Sequence, residues 1–382
     1  MMSERAYFPR RELAESIAKQ LLSPSLLGGA APGLFLAAPR RKGKSTFLRR
    51  DLSPALEQEG TLVLYVDLWA NLDTSPAELI AGVIARALAK HQSTLAKLAN
   101  ASGISKVKIQ NVEFTIDRIG KTAGATLSDA LQELHSLARK PIVFIIDEAQ
   151  HVVTADKNMT VMAALKAARD ALNSTGDNLY LVMSGSDRDK LLRLVHGTGA
   201  PFFGATIHTL PDLGKDYVAY AAGAVVRVHP ALEIDNARLA AIFDRYEHRP
   251  EFFEQDIGAA ISPLAGSPEG FIERLERLAT ERELVRDAVY AATFDDLSSL
   301  QKAIVAELAV PRAGAPRLFT KEALARYSQA TKKKIQAGQA RSAVEQLRDR
   351  DPPLIWKSDR GDYAFEDTGF SRWFQTTFGN SP

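Results

Sequence analysis

Nine consecutive residues, Ala38-Pro39-Arg40-Arg41-Lys42-Gly43-Lys44-Ser45-Thr46, constrain this chain more than any other stretch. They follow the apolar run Leu34-Phe35-Leu36-Ala37 and precede a helical pattern that opens near Lys44. Strand, glycine-lysine turn and helix in that order make a phosphate-binding P-loop. The N–H groups of such a turn point inward, and the helix N-terminus adds its dipole. Lys44 is placed to reach the β- and γ-phosphates of a nucleotide as a point charge. Ser45 is placed to put its hydroxyl on Mg²⁺, which takes oxygen ligands and keeps several waters. Thr46 falls near the α-phosphate. The pattern G-x-x-x-x-G-K-[ST] has glycine where this chain has Ala38. An alanine there requires negative φ and brings a methyl group toward the phosphates. The plain alternative is a basic turn before a helix.

A second stretch answers the first. Ile142-Val143-Phe144-Ile145-Ile146-Asp147-Glu148-Ala149-Gln150 is a short apolar run ending in two carboxylates. A run without polar alternation predicts a strand covered on both faces, as in a parallel sheet. Asp147 at its carboxyl end is placed to hold the Mg²⁺ shell, and Glu148 to polarise an attacking water. In open α/β sheets ligands bind at the carboxyl ends of strands, where both motifs fall.

With these motifs in hand the chain resembles the AAA+ and STAND ATPases. Phe8-Pro9-Arg10-Arg11-Glu12 is similar to their Phe-x-Gly-Arg-x-x-Glu opening, with Arg10 in place of glycine, and the resemblance implies that Arg11 lies with the nucleotide-binding residues. Ile145-Ile146-Asp147-Glu148-Ala149-Gln150 resembles their Walker B strand, and Leu181-Val182-Met183-Ser184-Gly185-Ser186 their sensor 1 strand. Pro201-Phe202-Phe203-Gly204 resembles a Pro-Leu-Tyr-Gly-Arg segment of the archaeal-type ATPases, but Ala205 replaces the arginine, so no role of that arginine carries over. Relatives of this kind include the origin-recognition ATPases. The resemblance implies ATP with Mg²⁺, and ATP hydrolysis.

The bounds agree with that class. The chain has 382 residues, room for two or three domains, and is 46% hydrophobic and 25% charged. No cysteine is present, which excludes disulfides, thiolate catalysis and cysteine-ligated zinc. The seven histidines show no metal-ligand spacing. No apolar run approaches the roughly 20 residues that span a bilayer. The charged start, Met1 to Arg11, has no signal-peptide core, and the expected location is cytoplasmic.

Along the chain, strand and helix patterns alternate as far as Thr206–Leu210, which predicts an α/β class with a doubly wound parallel sheet. Glu12 to Leu22 reads as a helix with Leu13, Ile17, Leu21 and Leu22 on one stripe. Ser75-Pro76-Ala77-Glu78 reads as a capping box. Ser102 to Thr122 reads as a small inserted hairpin without evident chemistry. From Lys215 to about Tyr290 only helical patterns occur, a helical lid packed beside the nucleotide. Beyond Thr293 three helices precede Leu354-Ile355-Trp356 and Tyr363-Ala364-Phe365, which flank the turn Ser358-Asp359-Arg360-Gly361. Three helices and a β-hairpin describe a winged helix. The expected division is 1–211 as P-loop core, 212–292 as lid and 293–382 as winged helix.

Further candidates are weaker. Ser184 and Ser186 sit where a sensor 1 residue contacts the γ-phosphate or the water, or simply satisfy a strand end; Ser184 is taken as catalytic with Glu148 and Lys44. Arg188 or Arg193 is a candidate arginine finger, with solvated helix charge as the plain reading. Arg249-Pro250 starts a lid helix at a sensor 2-like place. Residues 310–360 hold twelve Lys/Arg and five Asp/Glu, a local charge of +7 within a chain of net +2. Lys332, Lys333 and Lys334, with Arg341 and Arg348, suggest phosphate-backbone contact with DNA. The sequence therefore predicts an ATP-hydrolysing switch coupling nucleotide state to its winged helix. Three versions stay open: a DNA-associated motor or loader, a signalling or defence switch recruiting a protein effector, and a nucleotide-binding scaffold with negligible turnover. A nucleotide-dependent homo-oligomer is compatible with each.

Overall fold

A computed structural model describes residues 7–23, 33–71, 73–101, 126–154, 156–174, 176–196, 199–310, 316–357 and 361–379. The chain divides into two compact units, one of residues 1–38 and 44–210, the other of residues 39–43 and 211–382. The inserted hairpin expected at 102–122 and the turn residues Ser358, Asp359 and Arg360 lie outside the described residues.

The first unit opens with α1 (Arg11–Leu22) and β1 (Leu34–Ala37). The helix after the phosphate-binding turn is built in three pieces: α2 (Lys44–Phe47), a π-helical turn Leu48–Leu52, and α3 (Ser53–Gln58). Then follow β2 (Leu62–Asp67), α4 (Pro76–Ala101), α5 (Leu127–Ala138), β3 (Ile142–Asp147), a 3₁₀ turn Ala149–Thr154, α6 (Asp156–Leu172), β4 (Leu179–Gly185), α7 (Arg188–Leu192) and β5 (Ile207–Thr209).

The five strands form one sheet, all parallel, in the order β2-β3-β4-β1-β5. Every residue of β3 is buried, because its six side chains meet helices on both faces. The edge strands β2 and β5 are only partly covered, and β5 carries His208 and Thr209 exposed. After β1 the chain crosses to the far edge, returns through β3 and β4, and then places β5 on the other side of β1. The carboxyl end of β1 is thus a switch point, where open α/β sheets bind ligands.

Helix starts follow the local chemistry. Ser75 and Glu78 exchange side chain-to-backbone hydrogen bonds at the head of α4, as the capping box predicts, and Thr126 with Asp129 does the same for α5. The expected stripe of α1 is shifted. Its sealed residues are Ala14, Ala18 and Leu21, while Leu13, Ile17 and Leu22 are half-buried at the rim of the same core. Small residues face the P-loop helix because the two helices pack closely there.

The second unit is helical up to its end: α8 (Lys215–Val228), α9 (Asn236–Arg245), α10 (Pro250–Ala260), α11 (Phe271–Asp295), α12 (Ser299–Ala309), α13 (Lys321–Thr331) and α14 (Ala337–Asp349). An antiparallel pair follows, β6 (Ile355–Lys357) with β7 (Tyr363–Phe365), and then α15 (Thr368–Phe378). One core joins α12, α13, α14, the β-hairpin and α15, with Ile304, Tyr327, Val344, Ile355 and Phe370 at its centre. The aromatic segment Phe370 to Phe378 is this last helix, stacked on Tyr290 and Phe294 of α11.

Candidate nucleotide site

The phosphate-binding turn is left-handed at two places. Arg41 has φ of 68° and Gly43 φ of 80°. Ala38 is not among the positive-φ residues; it is buried, and its N–H donates to the Gly185 carbonyl at 3.2 Å. The alanine in place of the motif's first glycine is therefore accommodated, because this turn makes its positive-φ demand at Arg41 and Gly43.

At the first residue of α2 the Lys44 side chain is buried and points along the carboxyl ends of β3 and β4. Its Nζ donates to Asp147 Oδ1 at 2.6 Å, to Glu148 Oε1 at 2.7 Å and to Ser184 Oγ at 3.4 Å. Strand order explains the meeting. Leu36 and Ala37 of β1 lie level with Ser184 and Gly185 of β4, and β4 pairs in turn with β3. The three residues taken as catalytic from the sequence, Glu148, Lys44 and Ser184, are brought together.

Asp147 is fully buried, and both its oxygens accept hydrogen bonds. Oδ1 accepts from Lys44, from the Ser184 hydroxyl and, at 3.0 Å, from the Glu148 N–H; Oδ2 accepts from Tyr65 Oη at 2.7 Å. Burial alone opposes ionisation, but the Lys44 ammonium and the hydrogen bonds from Lys44, Ser184 and Ser45 prevail and hold the carboxyl at about 2. Burial also disfavours the charged form of Glu148, and Lys44, Gln150 and Ser186 together hold it below the ordinary glutamate range. The Tyr65 phenol is pushed up, first by burial and then by the Asp147 charge, and stays protonated as a donor. Arg49 stacks on the Tyr65 ring at 4.5 Å and pairs with Asp67 at 3.2 Å.

Glu148 itself has φ of 54°. A non-glycine residue in the left-handed region costs about 1–2 kcal/mol, and such outliers collect at functional positions. The hydroxyl of Ser45 is near enough to the carboxylate of Asp147 to help hold it in the charged form. Two hard oxygen donors of this kind fit Mg²⁺, which completes its shell with water and phosphate oxygens.

The remaining sequence candidates divide. Thr46 and Arg40 are exposed. Arg11 opens α1 exposed, and its charge reaches Asp51. Pro39 and Gly43 are half-buried in the turn. Arg41 and Lys42 spend their side chains inside the second unit: Arg41 lies 3.6 Å from Glu251 and over the Phe252 ring, while Lys42 pairs with Asp212 at 3.1 Å and donates to the Glu247 carbonyl. Arg188, weighed as an arginine finger, donates to Thr209 Oγ1 at 2.8 Å. Arg249 does cap a helix opened by Pro250, yet its guanidinium is held by Glu247 and Asp367, each at 2.8 Å. Sequence reasoning missed Tyr65, Arg49 and Gln150 as parts of the site. Only the adjacency of Gln150 to Asp147-Glu148 carried a signal.

In the C-terminal helices Lys332, Lys333 and Lys334 form an exposed turn between α13 and α14, with Lys332 left-handed at φ of 54°. Arg341 is exposed and lies over the Phe319 ring. Arg348 departs from the expected basic face: it is 16% exposed and paired with Glu345 at 2.6 Å.

The fold defines the class: a parallel α/β core of P-loop type followed by a helical unit. No protein-family model matches the sequence, and no curated protein matches it. Solved structures do. A Walker-type ATPase of Pyrococcus abyssi is similar over 96% of this chain and 95% of its own, at 17% identity and a TM-score of 0.57. The ORC2 protein of Aeropyrum pernix in its ADP form is similar over 98% and 97%, at 14% identity and a TM-score of 0.57. Its ADPNP–ADP complexes give a TM-score of 0.54. The chain thus has a fold similar to that of the origin-recognition-like P-loop ATPases.

Proposed function

We propose that this protein binds ATP with Mg²⁺, hydrolyses it, and couples nucleotide state to a C-terminal winged helix. The observation that carries the reading is the sharing of the buried Lys44 ammonium by Asp147 and Glu148 at the carboxyl end of β3. A phosphate-binding lysine, a metal-binding carboxylate and a water-activating carboxylate are the parts that phosphoryl transfer to water needs. The ADP-bound Aeropyrum pernix protein of the same fold supports the nucleotide.

In this reading the N–H groups of Pro39-to-Thr46, proline excepted, cradle the phosphates, and Lys44 offsets their charge. Ser45 and Asp147 would hold Mg²⁺, which when bound would neutralise charge on the phosphate oxygens. Glu148 accepts a proton from a water aligned with the γ-phosphorus. The water oxygen bonds to phosphorus as the bond to the β-phosphate oxygen breaks, leaving ADP and phosphate. Ser184 holds Asp147 in place. The domain division 1–211, 212–292 and 293–382 follows the same reading. Three helices, a β-hairpin and a shared core support the winged helix, and the exposed Lys332-Lys333-Lys334 turn favours nucleic acid over a protein effector as its partner.

The test is hydrolysis of ATP by the wild type and by Glu148→Gln. The wild type is expected to release phosphate in a Mg²⁺-dependent manner. Glu148→Gln is expected to bind ATP normally and turn it over about 10²–10⁴-fold more slowly, the usual contribution of a general base. A wild type that binds ATP and releases no phosphate would leave a nucleotide-binding scaffold.

A further inference from the structure

The Lys44 cluster accounts for one oxygen of Glu148. The other is held by residues that the hydrolytic scheme does not use. Glu148 Oε2 accepts from the Ser186 hydroxyl at 2.7 Å and from the Gln150 side-chain amide, while Gln150 Nε2 also donates to Ser186 Oγ at 3.0 Å. The protons balance: one amide hydrogen goes to the carboxylate, the second to the serine oxygen, and the serine hydrogen to the carboxylate. Both lone pairs of Oε2 are then engaged. Oε1 takes one hydrogen bond, from Lys44, and keeps a lone pair free.

We infer that Gln150 and Ser186 are positioning residues that clamp Oε2 of Glu148 and thereby present Oε1 to the attacking water. This rests on the hydrolytic reading above and adds the residues that aim its base.

Two independent features support the clamp. Gln150 is 3% exposed, and its Oε1 has no hydrogen-bond partner. An unsatisfied buried carbonyl costs about 1–3 kcal/mol, so this glutamine is held there for its amide hydrogens. Turning the amide over would set its oxygen against the Glu148 carboxylate. The second feature is Gly185. A Cβ on this residue would stand 2.7 Å from Gln150 Oε1, so the gap between the two serines is what admits the glutamine. The serines divide the work: Ser184 is the penultimate residue of β4 and Ser186 lies just beyond its end. Ser184 serves Asp147 and Ser186 serves Glu148.

The experiment is single-turnover ATP hydrolysis by the full chain, with ATP affinity measured in parallel. The variants are Gln150→Met, Ser186→Ala and Ser186→Thr, each also combined with Glu148→Gln. Gln150→Met and Ser186→Ala are expected to slow the hydrolytic step about 10- to 100-fold, the range seen when supporting hydrogen bonds are lost, with ATP affinity unchanged. Ser186→Thr, which keeps the hydroxyl, is expected to retain most of the rate. In the Glu148→Gln background the same substitutions should cost nothing further, because they act only through that carboxylate. Ser186→Ala deletes one oxygen and carries the test alone if Gln150→Met does not fold. Equal losses in both backgrounds, or wild-type rates in both clamp variants while Glu148→Gln is slow, would overturn the clamp and leave the hydrolytic reading standing. A wild type without turnover would overturn both.

Discussion

Lys44 Nζ lies 2.6 Å from Asp147 Oδ1, and the two side chains are 5% and 0% exposed. This is a buried ion pair in the middle of the sheet's carboxyl edge, and it places the proposed phosphate ligand and the proposed metal ligand in direct contact. Both residues therefore carry structural as well as chemical weight, and substitutions at either should register in stability as well as in nucleotide affinity.

Lys44→Ala should abolish tight ATP binding, since the phosphates lose their main side-chain counter-charge. It should also destabilise the first unit by about 3 kcal/mol, because removing one partner leaves a buried carboxylate uncompensated. Isothermal titration with ATP and urea denaturation measure the two effects. Unchanged affinity would refute the P-loop assignment.

The Asp147 carboxyl is lowered from 3.8 to about 2, so its contribution to stability is present above pH 4 and is lost as the pH falls from there toward 2. A shift of that size corresponds to roughly 2 kcal/mol. Glu148 is shifted in the same direction. Asp51 and Glu247, raised chiefly by burial, act in the opposite sense, so the quantity to measure is the difference between wild type and Asp147→Asn. Thermal melts between pH 6 and pH 2 should converge for the two proteins as the pH drops. Parallel curves would mean that Asp147 is not held low.

Arg249 joins the α9–α10 turn to the start of α15 through Asp367, whose Oδ2 also accepts from Tyr290 Oη at 2.9 Å. Arg249→Ala should destabilise the second unit by about 2 kcal/mol, less than a sealed pair would cost because Asp367 is 35% exposed. Combined with Asp367→Asn it should show less than additive loss. Denaturant unfolding followed by tryptophan fluorescence reports it, since Trp373 packs against Tyr290. Strict additivity would show that the pair is not coupled.

Changing Lys332, Lys333 and Lys334 together to glutamate should weaken binding to duplex DNA equally for unrelated sequences. The slope of log affinity against log salt should fall by about 2–3, as three phosphate contacts release their counterions. ATP affinity should not change. Fluorescence anisotropy at two salt concentrations measures this. No wild-type binding at low salt would favour a protein-recruiting role for this unit.

The sequence by itself determined the elements and the parts of the site that are written locally. The run Leu34–Ala37 and the six apolar-to-acidic residues Ile142–Asp147 have no polar alternation, so they could only be strands covered on both faces, and they are β1 and β3. Gly43-Lys44-Ser45 and Asp147-Glu148 could be proposed as site residues from sequence because backbone conformation and charge spacing are short-range properties. What the sequence could not supply was lateral order. Nothing local says that β4 lies between β1 and β3, or that β2 lies beside β3. That order brings Ser184 to Asp147, Ser186 to Glu148, and Tyr65 to the far oxygen of Asp147. In the second unit, helix packing brings Arg249 to Asp367, a pair 118 residues apart in sequence. Side-chain partners across strands and helices are set by crossover connections far apart in sequence, and only the packed core, by burying β3 on both faces, selects among them.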